Sequence, residues 1–332
     1  MPTSIRSHSK INLGLAIGAS RTDGFHGLTT VYQTLALHDL VIVHAERAPR
    51  TTIALTSDHP RVPVDASNTA WRMTELVLSE LGISAEVQIH IEKRLPVQGG
   101  LGAGSANAVA ALLALEHELE IEIPKSERLR LAARIGSDVP LFLVGGAVLG
   151  VGRGEEVYPL PETPSMPCVI AIPEIGVSTP EAYRAWDKAH PISSPDSLTG
   201  PSPSATIERL SRSIAVAFGE PYSSGVFSEG EDLAETPLLA LVRTGIENDF
   251  EQVVFLQHPF LGNIKRVLSG SLGAEESAVF VSLSGSGSAL FGLYRSIESA
   301  NAALERLETV GLPGLLTRTL PRNEYWRGIR VL

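Results

Sequence analysis

Leu95-Pro96-Val97-Gln98-Gly99-Gly100-Leu101-Gly102-Ala103-Gly104-Ser105-Ala106-Asn107 runs from an apolar residue through a glycine-rich turn into a helix. Gly99, Gly100, Gly102 and Gly104 let the backbone fold tightly, reach positive φ and aim several N–H groups at one point, which suits a phosphate. The stripe Ala106, Val109, Ala110, Leu113 and Ala114 predicts the helix, whose free amides and positive dipole end then lie beside the loop. The spacing matches neither common phosphate motif. Ser105 and Ala106 stand where a P-loop needs Lys and then Ser or Thr, and G-x-G-x-x-G is absent. The ordinary alternative is a connection that only lets a helix pack on a strand.

Composition narrows the classes. With 332 residues, 43% of them hydrophobic, the chain exceeds the usual size of one core and predicts two domains. A Pro-rich stretch, Tyr158 to Pro164, places the break, giving an N-terminal domain over 1–160 and a C-terminal domain over 165–332. The net charge of −10 argues against a surface that tracks nucleic acid, while leaving room for one small anion held by local amides. The single cysteine, Cys168, excludes a disulfide framework and any multi-cysteine metal site, and points to a reducing, cytoplasmic setting. Met1 to Lys10 carries no export signal, and the longest charge-free apolar window, Val139 to Gly152, is too short to cross a bilayer, so no membrane is expected.

Alternation at Ile11, Leu13, Leu15 and Ile17 predicts a strand with Lys10 and Asn12 on its other face. Arg21 to Gly27 reads as a turn, and Val31 to Val43 as an extended run bent at His38-Asp39. Thr51 to Leu55 and Glu86 to Ile91 are strands; between them Asn68 caps a helix over Thr69 to Leu81, stopped by Gly82. Lys125 to Ile135 is a second helix, ended by Gly136. Asp138 then stands at the lip of an apolar run, where a carboxylate needs a partner, or it caps the local turn. A strand over Cys168 to Ile172 precedes a Pro/Ser-rich stretch, and a variable insertion is expected over about 191–235. Helices are expected near Pro237 to Val242, Asp249 to Val254 and Pro259 to Leu268. Val279 to Leu283 is a strand that leads into the second glycine-rich turn, Ser284-Gly285-Ser286-Gly287-Ser288, with Leu290 to Tyr294 extended after it.

Ser9-Lys10-Ile11-Asn12-Leu13, Pro96 to Asn107 and Leu283-Ser284-Gly285-Ser286-Gly287 stand in the order and spacing of the three motifs of the GHMP kinase superfamily, which the chain resembles. Arg21-Thr22-Asp23-Gly24-Phe25-His26 and Gly136-Ser137-Asp138-Val139-Pro140 make it most similar to the branch that acts on a cytidyl diphosphate of methylerythritol. The resemblance spans almost the whole chain outside 191–235. It implies an α+β fold of two domains with the active site in the cleft between them. It also implies ATP-dependent phosphorylation of the substrate's 2-hydroxyl in non-mevalonate isoprenoid precursor synthesis.

The resemblance further implies roles. Asp138 takes the hydroxyl proton and Lys10 stabilises the developing charge. Pro96, Gly99, Gly100, Leu101, Gly102, Ala103, Gly104 and Ser105 hold the ATP phosphates, with Ser105 the hydroxyl for Mg²⁺, and Asn68 and Thr69 lie by the ATP base. Phe25 and Tyr183 sandwich the cytosine, His26 bonds its edge, and Asn12, Thr179 and Gly285 place the rest of the substrate. Two departures stand out: Phe25 replaces the usual tyrosine, and Ala106 replaces a second serine. The competing expectations are a related kinase acting on homoserine or a mevalonate-like substrate, which needs no cytosine sandwich, and a non-catalytic nucleotide-binding regulator. The oligomeric state is not legible in the sequence.

Overall fold

In the computed structural model the chain is built on two sheets, and residues 1–21, 24–97, 99–190, 203–218, 240–242, 244–271 and 276–331 are described. The first sheet holds β1 (Thr3–Ser20), β2 (His26–Arg47), β3 (Thr52–Ser57), β4 (Ala85–Glu92), β5 (Ala147–Val151) and β6 (Glu156–Pro159). The second holds β7 (Pro167–Ala171), β8 (Phe280–Leu283), β9 (Leu290–Leu293) and β10 (Gly314–Arg318), in the antiparallel order β10-β7-β9-β8. The C-terminal strand β11 (Arg330–Val331) returns to pair with β1, so the first sheet runs β11-β1-β2-β4-β3 with β5 and β6 joined to β2. Among the described strands only β3 and β4 pair in parallel.

The β1–β2 ribbon is the spine. Residues 30–33 of β2 pair with β5 and residues 40–47 with β4. Between them the register with β1 slips, from His8 opposite His38 to Lys10 opposite Thr34. The irregularity therefore falls at residues 35–37, just before the expected bend at His38-Asp39. Both faces of the ribbon are buried over residues 7–18 and 28–35, and one face beyond them: Ile5, Tyr32, Val41 and Val43 enter one core, Leu15, Ile17 and Leu28 a second, and Ile11, Leu13, Val31 and Leu35 a third, beside Cys168, Ile170 and Phe291. Lys10 and Asn12 consequently do not face water; each is 2% exposed.

The helices are α1 (Thr69–Leu81), α2 (Ala103–Glu118), α3 (Lys125–Ile135), α4 (Thr179–Ala189), α5 (Pro203–Phe218), α6 (Phe250–Gln257), α7 (Pro259–Ser269), α8 (Ile297–Thr309) and α9 (Arg322–Gly328). Asn68 caps α1 by accepting from the Ala70 N–H at 2.9 Å, and Gly82 ends it at φ +62°. The alanine-rich α2 is buried nearly all round, as a helix wedged between a sheet and α1 must be. α5 packs on β1 where the strand has glycines: a Cβ at Gly18 would meet Ile207 at 2.7 Å, and one at Gly14 would meet Leu210 at 3.1 Å. Residues 203–218 of the expected insertion are thus part of the packed molecule; the rest of that stretch, 191–202 and 219–235, lies outside the described residues, as do Thr22 and Asp23 of the expected turn. Of the helix expected over Pro237 to Val242, residues 240–242 are described and helical. Among the described residues no helix is long and apolar enough to cross a membrane.

Candidate active site

Lys10 stands where both sheets meet the two glycine-rich turns. Its backbone N–H donates to Leu101 O at 3.0 Å, which ties β1 to the first turn. Its ammonium donates to Asn12 Oδ1 at 2.6 Å and lies 3.3 Å from Asp138 Oδ2. Asn12 in turn donates to Thr30 Oγ1 at 2.8 Å, and the Thr30 hydroxyl donates to Gly14 O, so each member of the row is fixed by the next. Asp138 sits in the turn between α3 and a short 3-10 helix, Pro140–Leu143, with its side chain 35% exposed towards the cleft. A carboxylate next to an ammonium in a half-open cleft is equipped to accept a proton while the cation steadies charge on neighbouring oxygens.

The first glycine turn owes its course to close contacts. At Gly102, φ +73°, a Cβ would come within 2.9 Å of Lys10 Cγ and Phe142 Cζ. Ala103, Gly104 and Ser105 then form the first turn of α2, which has no side-chain cap bond, so its leading amides remain available to an anion. Pro96 and Ser105 are partly exposed and Leu101 is buried; Gln98 is outside the described residues. Thr69 donates its hydroxyl to Gly104 O at 2.5 Å, which binds the start of α1 to the start of α2 and places the Asn68–Thr69 pair beside the loop. The strand leading in is held by Asp39, fully buried, which accepts from Lys93 Nζ at 2.6 Å and from the N–H groups of Arg94 and Leu95. Burial lowers the Lys93 pKa despite that carboxylate.

The second glycine turn closes on the first. Ser284 donates to Gly100 O at 2.9 Å, and the Ala289 N–H donates to Gly99 O at 3.2 Å. A Cβ at Gly285 would lie 3.5 Å from both Lys10 Nζ and Asn12 Oδ1. Asn248, a residue that the sequence did not single out, holds this turn: its amide donates to Leu283 O and Gly285 O, each at 2.8 Å, while its Oδ1 accepts from the Phe250 N–H. Its tie to the turn is not marked locally in the sequence, since Leu283 lies 35 residues away.

The cleft has a volume of about 560 Å³, and its walls bring together Lys10, Asn12, Phe25, His26, Gly100, Asp138, Thr179, Tyr183 and Gly285 from the expected set. The remaining expected residues belong to the adjacent loop and the ends of α1 and α2. Thr179 bonds Ser286 at 2.7 Å. His26 stacks on Tyr183 at 5.0 Å and 12°, with its Nε2 2.6 Å from Asp187 Oδ1; Tyr183 meets Phe250 edge-on at 4.9 Å. Phe25 is half exposed, and the Arg153 guanidinium lies 4.9 Å from its ring centre. The two aromatics expected to flank a base therefore share one cleft, each with a neighbour over its ring. Burial pushes the Tyr183 phenol up to about 12, so it stays protonated.

Comparison with known proteins matches residues 68–146 to the GHMP kinases N terminal domain and residues 233–311 to the GHMP kinases C terminal domain. The 4-diphosphocytidyl-2-C-methyl-D-erythritol kinase of Solibacter usitatus is 37% identical over 303 residues, 91% of this chain and 84% of the relative. That of a Nocardioides species is 33% identical over 320 residues, 96% and 97% of the two chains. A crystal structure of 4-(cytidine 5'-diphospho)-2C-methyl-D-erythritol kinase superposes with a TM-score of 0.68 at 29% identity, covering 96% of this chain and 99% of that one. Homoserine kinase from Cytophaga hutchinsonii superposes at 0.66 with 20% identity, covering 96% and 95%, a likeness of fold alone.

Proposed function

The chain belongs to the 4-diphosphocytidyl-2-C-methyl-D-erythritol kinases of the GHMP kinase superfamily, and from that premise we propose how its cleft phosphorylates 4-(cytidine 5'-diphospho)-2-C-methyl-D-erythritol. The chain is an ATP-using kinase of a small molecule. Its acceptor is the 2-hydroxyl of the methylerythritol unit, and the product is an isoprenoid precursor of the non-mevalonate route. The observation that carries the assignment of roles is the Lys10–Asp138 pair at 3.3 Å, set where the two glycine turns close on each other.

The acceptor oxygen attacks the γ-phosphorus, the bond from that phosphorus to the ADP oxygen breaks, and the hydroxyl proton passes to the Asp138 carboxylate. Lys10, steered by Asn12, faces the charge that develops on the attacking oxygen and the transferred group. The backbone from Pro96 and Gly99 to Ser105 receives the ATP phosphates at the uncapped start of α2, and Asn68 and Thr69 border the nucleotide. Magnesium, when bound, neutralises the phosphate oxygens. We assign the Ser105 hydroxyl as its protein oxygen. Among the described residues no cluster of three or more His, Cys, Asp or Glu forms a dedicated cage, which suits an ion carried mostly by phosphates and water.

Phe25, His26 and Tyr183 take the cytosine: two apolar faces and one imidazole edge answer a flat base with a polar rim. Thr179, Asn12 and Gly285 line the same cleft and, on this reading, take the part of the substrate between the base and Asp138. The cytoplasm, where ATP is supplied, is the compartment this reading implies.

The test is acceptor-dependent ADP release with Mg-ATP, comparing the cytidyl diphosphate with homoserine, mevalonate and no acceptor. Release with the cytidyl substrate alone is expected. Release with homoserine or mevalonate instead would keep the fold and remove the cytosine pocket, and ATP binding without release under any acceptor would favour a regulator.

A further inference from the structure

We propose that Tyr32 is a positioning residue for phosphoryl transfer: its phenol holds Asp138 Oδ1, so that the carboxylate meets the acceptor hydroxyl in one fixed orientation. This rests on the reading of Asp138 as proton acceptor. Tyr32 lies on β2, paired with Asn12 on one side and Val148 of β5 on the other, in a run that reads as ordinary core strand. Its side chain is fully buried, yet its hydroxyl reaches the cleft and stands 3.0 Å from Asp138 Oδ1. Lys10 lies on the other carboxylate oxygen, at 3.3 Å from Oδ2. The two oxygens thus have different partners from different strands, and any rotation about the Cβ–Cγ bond of Asp138 short of the half-turn that exchanges two equivalent oxygens would break both contacts.

The phenol must be the donor. Burial and the neighbouring carboxylate raise its pKa well above the usual value, and an ionised carboxylate only accepts. The ring itself is seated by missing side chains: a Cβ at Gly150 would come within 2.5 Å of Tyr32 Cε2, and one at Gly154 within 2.6 Å of its hydroxyl oxygen. Such a seat delivers the hydroxyl to one place. Asp138 is a third exposed, on a turn rather than a regular element, and has most need of an external anchor. Orientation of a proton acceptor acts on the chemical step and leaves substrate binding alone.

The test is steady-state kinetics of Tyr32→Phe. A fall in kcat of roughly 5- to 50-fold is expected, with KM for ATP and for the cytidyl substrate changed less than about twofold. Two unnatural residues of equal size, 4-aminophenylalanine and 4-methylphenylalanine at position 32, separate a donor from mere ring volume and cover the case in which the Phe protein fails to fold. The amino ring is expected to recover most of the lost kcat and the methyl ring none. Equal kcat for the two rings, or a loss carried by KM, overturns the proposal. Asp138→Asn tells the two readings apart: turnover retained in that variant defeats Asp138 as acceptor, whereas turnover lost there with Tyr32→Phe unaffected defeats only the role of Tyr32.

Discussion

A hydrogen atom is all that Gly100 can carry. Its φ is +77°, and a Cβ would lie 2.0 Å from the backbone oxygen of Ser284, an atom that cannot rotate away. Gly100→Ala must part the two glycine turns, and the lysine and carboxylate beside them lose their register. We expect kcat to fall by roughly 100-fold, with about 2–4 kcal/mol of stability lost, read by turnover and urea unfolding. Gly82→Ala is the contrast: φ is +62° but nothing lies within 4 Å, so about 1 kcal/mol of strain and unchanged turnover are expected. Glycine spacing is legible in the sequence because it is local, whereas the partner of Gly100 stands 184 residues away. The burial of Lys10 and the part played by Tyr32 were hidden for a related reason. Alternation separates two faces of a strand without telling whether the second face meets water, and here a second sheet and a glycine loop cover it.

At the scale of elements, the start of α1 has two duties: Asn68 caps the helix and, through Thr69, the same turn holds Gly104 at the phosphate loop. Asn68→Ala removes the acceptor for the Ala70 N–H and should cost about 1 kcal/mol in urea unfolding, while Asn68→Asp keeps that acceptor but loses the amide donation to Pro63 O and so recovers only part of the cost. If Asn68 borders the ATP base, both variants raise KM for ATP, and an unchanged KM in both would limit the residue to capping. Cap and stop signals made α1 legible to the residue, Thr69 to Leu81 between Asn68 and Gly82. The same logic was available for α8, where Ser296 accepts from the Ser299 N–H at 3.2 Å, but no glycine follows at once to close the pattern. α5 was obscured by composition: its apolar Ile207 and Leu210 sit next to a Pro/Ser-rich stretch that reads as insertion. The short strands β6 and β10 are too brief for periodicity to speak.

The molecule as a whole is tied together by its last residues, and that tie is sensitive to acid. Tyr325 of α9 donates to Phe142 O at 2.7 Å, Arg6 donates to Ile329 O and Gly328 O, and β11 pairs with β1, so the C-terminus fastens onto the strand that carries Lys10. His8 lies in that junction, with its ring 5.3 Å from Tyr325 and 5.2 Å from His38. It is 4% exposed, and burial, with His38 nearby, lowers its pKa from 6.5 to about 3. The unfolded chain therefore binds a proton that the folded chain refuses. Stability is complete above pH 6.5 and is lost as pH falls towards 3, by up to about 1.4 kcal/mol per unit from this one site. Burial lowers the His38 pKa as well, which acts in the same direction. Between pH 6.5 and 4.5 the loss through His8 amounts to about 2–3 kcal/mol, and His8→Phe should remove it while keeping an aromatic ring against Tyr325. Urea unfolding of both proteins at the two pH values reads this directly: the variant is expected to lose less stability than the parent by that amount, and equal losses would show that His8 takes up its proton without unfolding the junction.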